Sequence, residues 1–217
     1  MDIDIIIPIY NAFDFVKKCI ETVIEHTDLT QHTLLLVNDK STDERILPLL
    51  NSFIKENQSL NIILIDNKDN QGFVRTVNIG MQYSHHDVVL LNSDTEVTRN
   101  WLSKIQNCAY SKPAVATVTP LSNNATLASV FLAENTIPPG LSVEEYADIV
   151  EKCSMNLFPD IPTAHGFCMY IKREAIDDLG LFDEETFGKG YGEENDFSYR
   201  CLQAGYRHLL CDNTYIY

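Results

Sequence analysis

The feature that most constrains this chain is an alternation in its first 91 residues. Short runs that are apolar on both faces, at 3–9, 33–37, 61–65 and 87–91, alternate with segments whose apolar residues recur at helical spacing. After the first run come Phe13, Val16, Ile20, Val23 and Ile24; after the second, Ile46, Leu49, Leu50, Phe53 and Ile54; after the third, residues 72–83. A strand that is apolar on both faces must be covered on both. The pattern therefore predicts an α/β fold, with a parallel sheet and helices on each side. Ligands of such sheets bind outside the carboxyl ends of the strands. Here those ends are residues 9–11, 38–41, 66–72 and 92–95, rich in Asp and Asn.

The second half has a different rhythm. Helices are expected over 101–110, 142–153, 173–179 and 193–204, and strands over 115–118, 167–171 and 206–211. Residues 122–140 form a long loop rich in Asn, Thr and Pro, and residues 187–192 a glycine-rich turn. Loops this long inside a domain are usually functional. Together with 159–165, the first of these is where specificity is expected.

Charge narrows the function. Sixteen Lys and Arg against 31 Asp and Glu leave a net charge of -15. Such a field repels a phosphate backbone, and the acidic balance argues against a polybasic membrane anchor. An anionic ligand would need a metal ion or backbone N–H groups. No apolar run approaches the about 20 residues of a membrane span, and the acidic start enters a strand at once, which is unlike a signal peptide. The six cysteines (19, 108, 153, 168, 201, 211) contain no C-x-x-C pair, so they are expected as reduced thiols and not as zinc ligands.

Three clusters carry chemistry. Asn92-Ser93-Asp94 follows a strand: its carboxylate is placed either to hold a divalent cation or to cap a helix beginning near Thr95. Asp39, at the tip of the second strand, is placed to accept N–H bonds from a base or ribose, while Ser41 or Thr42 with Asp43 reads as a helix cap. Gly190-Tyr191-Gly192-Glu193-Glu194-Asn195-Asp196 crowds three carboxylates at a helix N-terminus behind a glycine hinge. The dipole favours their charge, and their mutual repulsion raises one pKa, which suits a general base. The alternative is an acidic first turn with no chemical duty.

In order along the chain stand Ile7-Pro8-Ile9-Tyr10-Asn11, Asn38-Asp39-Lys40-Ser41-Thr42-Asp43, Asn70-Gln71-Gly72-Phe73, Asn78-Ile79-Gly80 and Leu91-Asn92-Ser93-Asp94-Thr95. Residues 166–173, Gly180-Leu181-Phe182-Asp183-Glu184 and residues 192–200 continue the series. This set resembles the family 2 glycosyltransferases of GT-A fold, most closely the bacterial rhamnosyltransferase-like and O-antigen-type enzymes of surface polysaccharide synthesis. The resemblance implies a Rossmann-like, mostly parallel sheet flanked by helices, with a smaller acceptor-side lobe. It implies a single domain, with 1–95 as the nucleotide-sugar half and 96–217 as the acceptor half. It also implies site residues. Pro8, Tyr10 and Asn11 border the nucleotide, Asp39 contacts the base, and Gly72 and Arg75 lie on the same side. Asn92, Ser93 and Asp94 match the Asp-x-Asp metal motif with Asn in place of its first Asp, so Asp94 becomes the direct ligand of Mn2+ or Mg2+. Glu194 becomes the catalytic base, Glu193 and Gly166 face the acceptor, and Asp196 and Arg200 support the loop. Many relatives place a metal-binding His beyond the last strand. The chain ends at Tyr217 without one, which gives the expectation of a truncated piece. His165 is not a substitute for it; it either lines the acceptor side or is structural.

The activity so implied is inverting, metal-dependent transfer of a hexosyl or deoxyhexosyl group from a UDP- or dTDP-sugar to a glycan or lipid-linked acceptor. The expected location is the cytoplasm, up to the inner face of the cell membrane, with no nucleic-acid partner. The alternative is a catalytically idle module that binds nucleotide sugars or glycans within a larger protein. Other classes lack their signatures. Ile9-Tyr10-Asn11-Ala12-Phe13 has no G-x-G-x-x-G, and no G-K-[ST] of a P-loop occurs. A nucleotidyltransferase would want a first loop rich in Gly and Arg or Lys.

Overall fold

A computed structural model of the chain describes residues 1–130 and 137–217. In its first half β1 (Ile3–Ile9), β2 (Thr33–Asn38), β3 (Ile62–Asp66) and β4 (Asp87–Leu91) alternate with α1 (Phe13–His26), α2 (Ile46–Glu56) and α3 (Phe73–Tyr83). Then come α4 (Trp101–Ala109), β5 (Val115–Leu121), α5 (Val143–Cys153), β6 (Asp160–Ile161) and β7 (Cys168–Ile171). The chain closes with α6 (Arg173–Leu179), α7 (Glu184–Phe187), α8 (Glu193–Gln203) and β8 (Arg207–Tyr215). The strands form one eight-stranded sheet of order β3-β2-β1-β4-β7-β5-β8-β6.

The apolar alternation sorts side chains onto two faces. On β1, Ile3, Ile5, Ile7 and Ile9 join a core with α1, α2 and α4, centred on Val16, Ile20, Leu50 and Trp101. Ile6 points the other way, into a core with Val74, Val77 and Met81 of α3, Ala175 and Ile176 of α6, and Phe197 and Cys201 of α8. Alternate residues of a strand face opposite ways, so a strand covered on both sides needs apolar residues at nearly every position. Gly80 lets α3 close on the sheet: a Cβ there would stand 2.6 Å from Ile6 Cγ2.

The sheet is mixed, where the pattern of the first half alone implies parallel strands throughout. β1, β2, β3 and β4 are mutually parallel, but β7 runs antiparallel to both β4 and β5, and β6 antiparallel to β8. The reversal of β7 brings its N-terminal end to the C-terminal tip of β4, pairing Cys168 with Leu91. β5 and β8 end on the same edge, where Leu121 pairs with Tyr215.

Three local expectations are corrected. Residues 95–98 are not helical and α4 begins at Trp101, so Asp94 caps no helix. α2 starts at Ile46 and not near Ser41 or Thr42, because those side chains are engaged elsewhere. The last strand runs unbroken through Asp212 to Tyr215. The expected loop over 122–140 is described only in part, since 131–136 lie outside the described residues. Among the described residues, no helix is long and apolar enough to cross a membrane.

Candidate active site

Two clefts open on the edge where these strand ends meet. The first, of about 650 Å³, lies over the tips of β1 and β4, at the point where the strand order reverses; Pro8, Tyr10, Asp39, Gly72, Ser93 and Asp94 line it. The second, of about 580 Å³, collects residues distant in sequence, including Ser122, His165, Gly166, Glu193, Glu194 and Tyr217. Phe73, Asn92, Asp94 and Lys189 line both.

The first cleft is held by hydrogen bonds within the chain. Asp39 is buried, and its Oδ1 accepts from Gln71 N at 2.7 Å and Asn67 Nδ2 at 3.0 Å, while Oδ2 accepts from Gly72 N at 2.9 Å. A carboxylate offers about four acceptor sites, so these bonds leave about one for a ligand. Asn11 does not line the cleft. Its Oδ1 accepts the N–H groups of Thr42 and Asp43, both at 2.8 Å, and its own N–H donates to Ser41 Oγ at 2.9 Å. Asn11 therefore positions the β2–α2 loop, which is why Ser41 and Thr42 cap no helix. Gly72 has φ +82, and a Cβ there would lie 3.1 Å from Lys189 Cα. The close approach at this glycine is made by the chain's own 188–192 turn. Arg75 is not brought to the cleft; it is exposed on α3 and lines a separate groove with Lys68, Gln82 and Glu184.

The second cleft has the opposite character. His165 Nδ1, Glu193 Oε2 and Glu194 Oε2 are buried atoms with no hydrogen-bond partner among the described residues. Buried polar atoms are nearly always paired, so three orphans on one cleft mark where a ligand or water would bind. Burial, with the Glu194 charge adding, raises the Glu193 carboxyl above its ordinary value. Burial also lowers the His165 pKa against the opposing pull of Glu194, which favours the neutral imidazole. Asp196 is not free for chemistry, because Arg200 Nε donates to it at 2.8 Å while the same guanidinium holds the carbonyls of Leu179 and Leu181. This pair ties α8 to the segment after α6.

The junction suits a hard divalent ion of the kind that keeps waters and phosphate oxygens among its ligands. Asp94 is exposed, and neither its carboxylate nor the Asn92 amide makes a hydrogen bond or ion pair among the described residues. One carboxylate and one amide oxygen do not make a closed cage, and among the described residues no three His, Cys, Asp or Glu side chains converge on a metal position. His208 is no ligand: Nδ1 bonds Thr117 Oγ1 at 2.7 Å and Nε2 bonds the Ser198 carbonyl at 3.0 Å.

Lining residues that the sequence reading does not assign to the site include Lys189, shared by both clefts, and Tyr217, held by paired backbone bonds to Glu96. For Lys189 there is a signal, a cation set between Gly188 and Gly190.

The family model described as Glycosyl transferase family 2 matches residues 4–180. Polypeptide N-acetylgalactosaminyltransferase 11 of Xenopus tropicalis is 31% identical over 104 residues, 46% of this chain and 17% of that protein. The low-salt glycan biosynthesis hexosyltransferase Agl10 of Haloferax volcanii is 25% identical over 206 residues, 82% of this chain and 63% of that one. Among solved structures, GalNAc-T7 with UDP, GalNAc and Mn2+ superposes with a TM-score of 0.76 at 18% identity, over 100% of this chain and 43% of that one. The fold is thus that of GT-A glycosyltransferases. The chain spans less than two thirds of the length of each of these proteins.

Proposed function

The chain belongs to glycosyl transferase family 2, and on that premise we propose that it is an inverting, metal-dependent glycosyltransferase. The donor is a UDP- or dTDP-sugar, and the acceptor a glycan or lipid-linked glycan of cell-surface polysaccharide synthesis at the cytoplasmic face. The observation that carries this reading is the meeting of two unlike clefts at Asn92 and Asp94. One is a pocket whose buried Asp39 is held by the chain itself and that fits a nucleotide; the other holds carboxylate oxygens without a partner among the described residues, which fit a hydroxyl-bearing acceptor.

In this reading residues 1–95 form most of the donor half and 96–217 most of the acceptor half. The base lies against Pro8 and Tyr10 and donates to the remaining acceptor site of Asp39. Asp94, with the Asn92 oxygen, would hold Mn2+ or Mg2+. Such an ion supplies positive charge beside the diphosphate. Glu193 and Gly166 orient the acceptor. Glu194 takes the proton of the attacking hydroxyl as its oxygen bonds to C1 and the bond from C1 to the phosphate oxygen breaks. The electron pair leaves on the diphosphate, and a single displacement inverts C1. General-base help of this kind is worth about 10²- to 10⁴-fold.

The test is UDP binding with and without Mn2+, by wild type, Asp39→Ala and Asp94→Ala. Asp39→Ala is expected to weaken binding under both conditions, and Asp94→Ala to abolish the metal dependence. Equal binding by all three proteins sinks the assignment. Metal-dependent hydrolysis of a UDP-sugar separates an enzyme from an idle binding module.

A further inference from the structure

The turn 188–192 carries one cation, and its place is unusual. Among the described residues lining either cleft, Lys189 is the one Lys or Arg, set against Asp39, Asp94, Glu193 and Glu194 in a chain of net charge -15. Lys189 is exposed, and among the described residues its ammonium makes no hydrogen bond or ion pair, although Glu193 and Glu194 line the same cleft. Its backbone and stem lie close against Gly72. Gly72 faces Lys189, where a Cβ would come within 3.1 Å of Lys189 Cα and 3.2 Å of its Cγ. The Gly72 N–H is in turn bonded to Asp39. The lysine stem therefore rests on the loop that floors the first cleft, with its charge unspent at the junction.

We propose that Lys189 binds the diphosphate of the donor and opposes the charge that grows on it as the sugar leaves. The inference rests on the donor reading given under Proposed function and adds to it a residue that reading does not use. A nucleoside diphosphate brings two or more negative charges, by ordinary phosphate ionisation, to a junction already acidic. Asn92 stands where a second carboxylate would strengthen the hold on a divalent ion, so the protein meets this charge with a single acidic metal ligand. A lysine supplies a compact point charge suited to phosphate oxygens. During transfer the bond from C1 to the phosphate oxygen breaks and its electron pair stays on the diphosphate. The acceptor proton goes to Glu194, and Lys189 keeps its own.

Titration calorimetry in Mg2+ with uridine, UDP and inorganic pyrophosphate tests this on wild type, Lys189→Met and Lys189→Arg. A charge-assisted contact predicts that Lys189→Met binds UDP and pyrophosphate about tenfold more weakly or worse. Its uridine affinity is expected to hold within twofold, and Lys189→Arg to keep most of the wild-type diphosphate affinity. An unchanged melting temperature shows that the Met variant is folded. Wild-type UDP and pyrophosphate affinity in Lys189→Met overturns the role of Lys189 and leaves the donor reading standing. So does an equal loss for uridine, which would mean a displaced loop. Wild-type protein that binds neither UDP nor pyrophosphate overturns both.

Discussion

The two clefts are made from opposite materials. At the strand-tip cleft the buried carboxylate is already engaged within the chain, since Asp39 accepts three hydrogen bonds, and beside the cleft Asn11 knits two loops together. In the acidic cleft His165, Glu193 and Glu194 each bury a polar atom with no partner among the described residues. In the first, Asp39 has about one acceptor site left. The second presents polar atoms to a ligand or water, because buried polar atoms are nearly always paired. The contrast is that of a clasp already closed and a set of groups waiting for a substrate.

The sharpest way to break the contrast is Glu194→Gln, which keeps shape and removes basicity. Transfer to acceptor should fall by about 10²-fold or more, with UDP affinity unchanged in calorimetry. If turnover survives there and is lost in Asp196→Asn, the base lies on the Arg200-paired carboxylate and the acidic cleft has been misassigned. Next in size is Asp39→Ala. Removing the acceptor strands the donors of Asn67, Gln71 and Gly72, which should cost about 3 kcal/mol. Chemical denaturation reads that loss; a stable variant would mean that the first cleft is not self-supporting.

Glu193→Gln should act in the other direction. Its folded-state pKa is raised by burial, so Glu193 destabilises the fold progressively as pH climbs from the ordinary carboxyl value through the raised one. The Gln variant should melt higher than wild type at pH 7, the direction that the raised carboxyl pKa sets. The gain should vanish below about pH 4, where a carboxyl is protonated in both states. An equal gain at both pH values would show that charge is not the cause. Smallest is Arg75→Ala, an exposed residue on a separate groove, expected to shift UDP affinity and stability by less than about 0.5 kcal/mol. A large loss of UDP affinity would join that groove to the donor site.

Much of this was legible in the residues. The strands from Ile3 to Leu91 announce themselves because burial on both faces calls for apolar residues at nearly every position, and their tips follow at once. The helix expected over 142–153 forms as α5, its start held by a local capping box in which Ser142 and Glu145 bond each other's backbone. β6, of two residues, and α7, of four, leave no periodicity to detect. Asn11 and Arg75 match motif positions that border a nucleotide in the resemblance, yet which way each side chain turns depends on neighbours that are remote in sequence. Thr42 and Asp43 claim Asn11, and the outer face of α3 carries Arg75.

By itself, then, the sequence determined the layered α/β plan and the acidic and amide residues at the strand ends, since each depends on periodicity or on a few adjacent residues. The tertiary structure alone decided that β7 runs antiparallel, and with it that Gly166 and Phe167 come to Asn92, whose N–H donates to the Phe167 carbonyl at 2.9 Å. It alone set Lys189 against Gly72 and left an oxygen of Glu193 and one of Glu194 unpaired among the described residues. The physical reason is range. Strand pattern and capping are settled by neighbours along the chain, whereas the direction of a strand and the company of a buried carboxylate are settled by elements that meet only when the sheet closes.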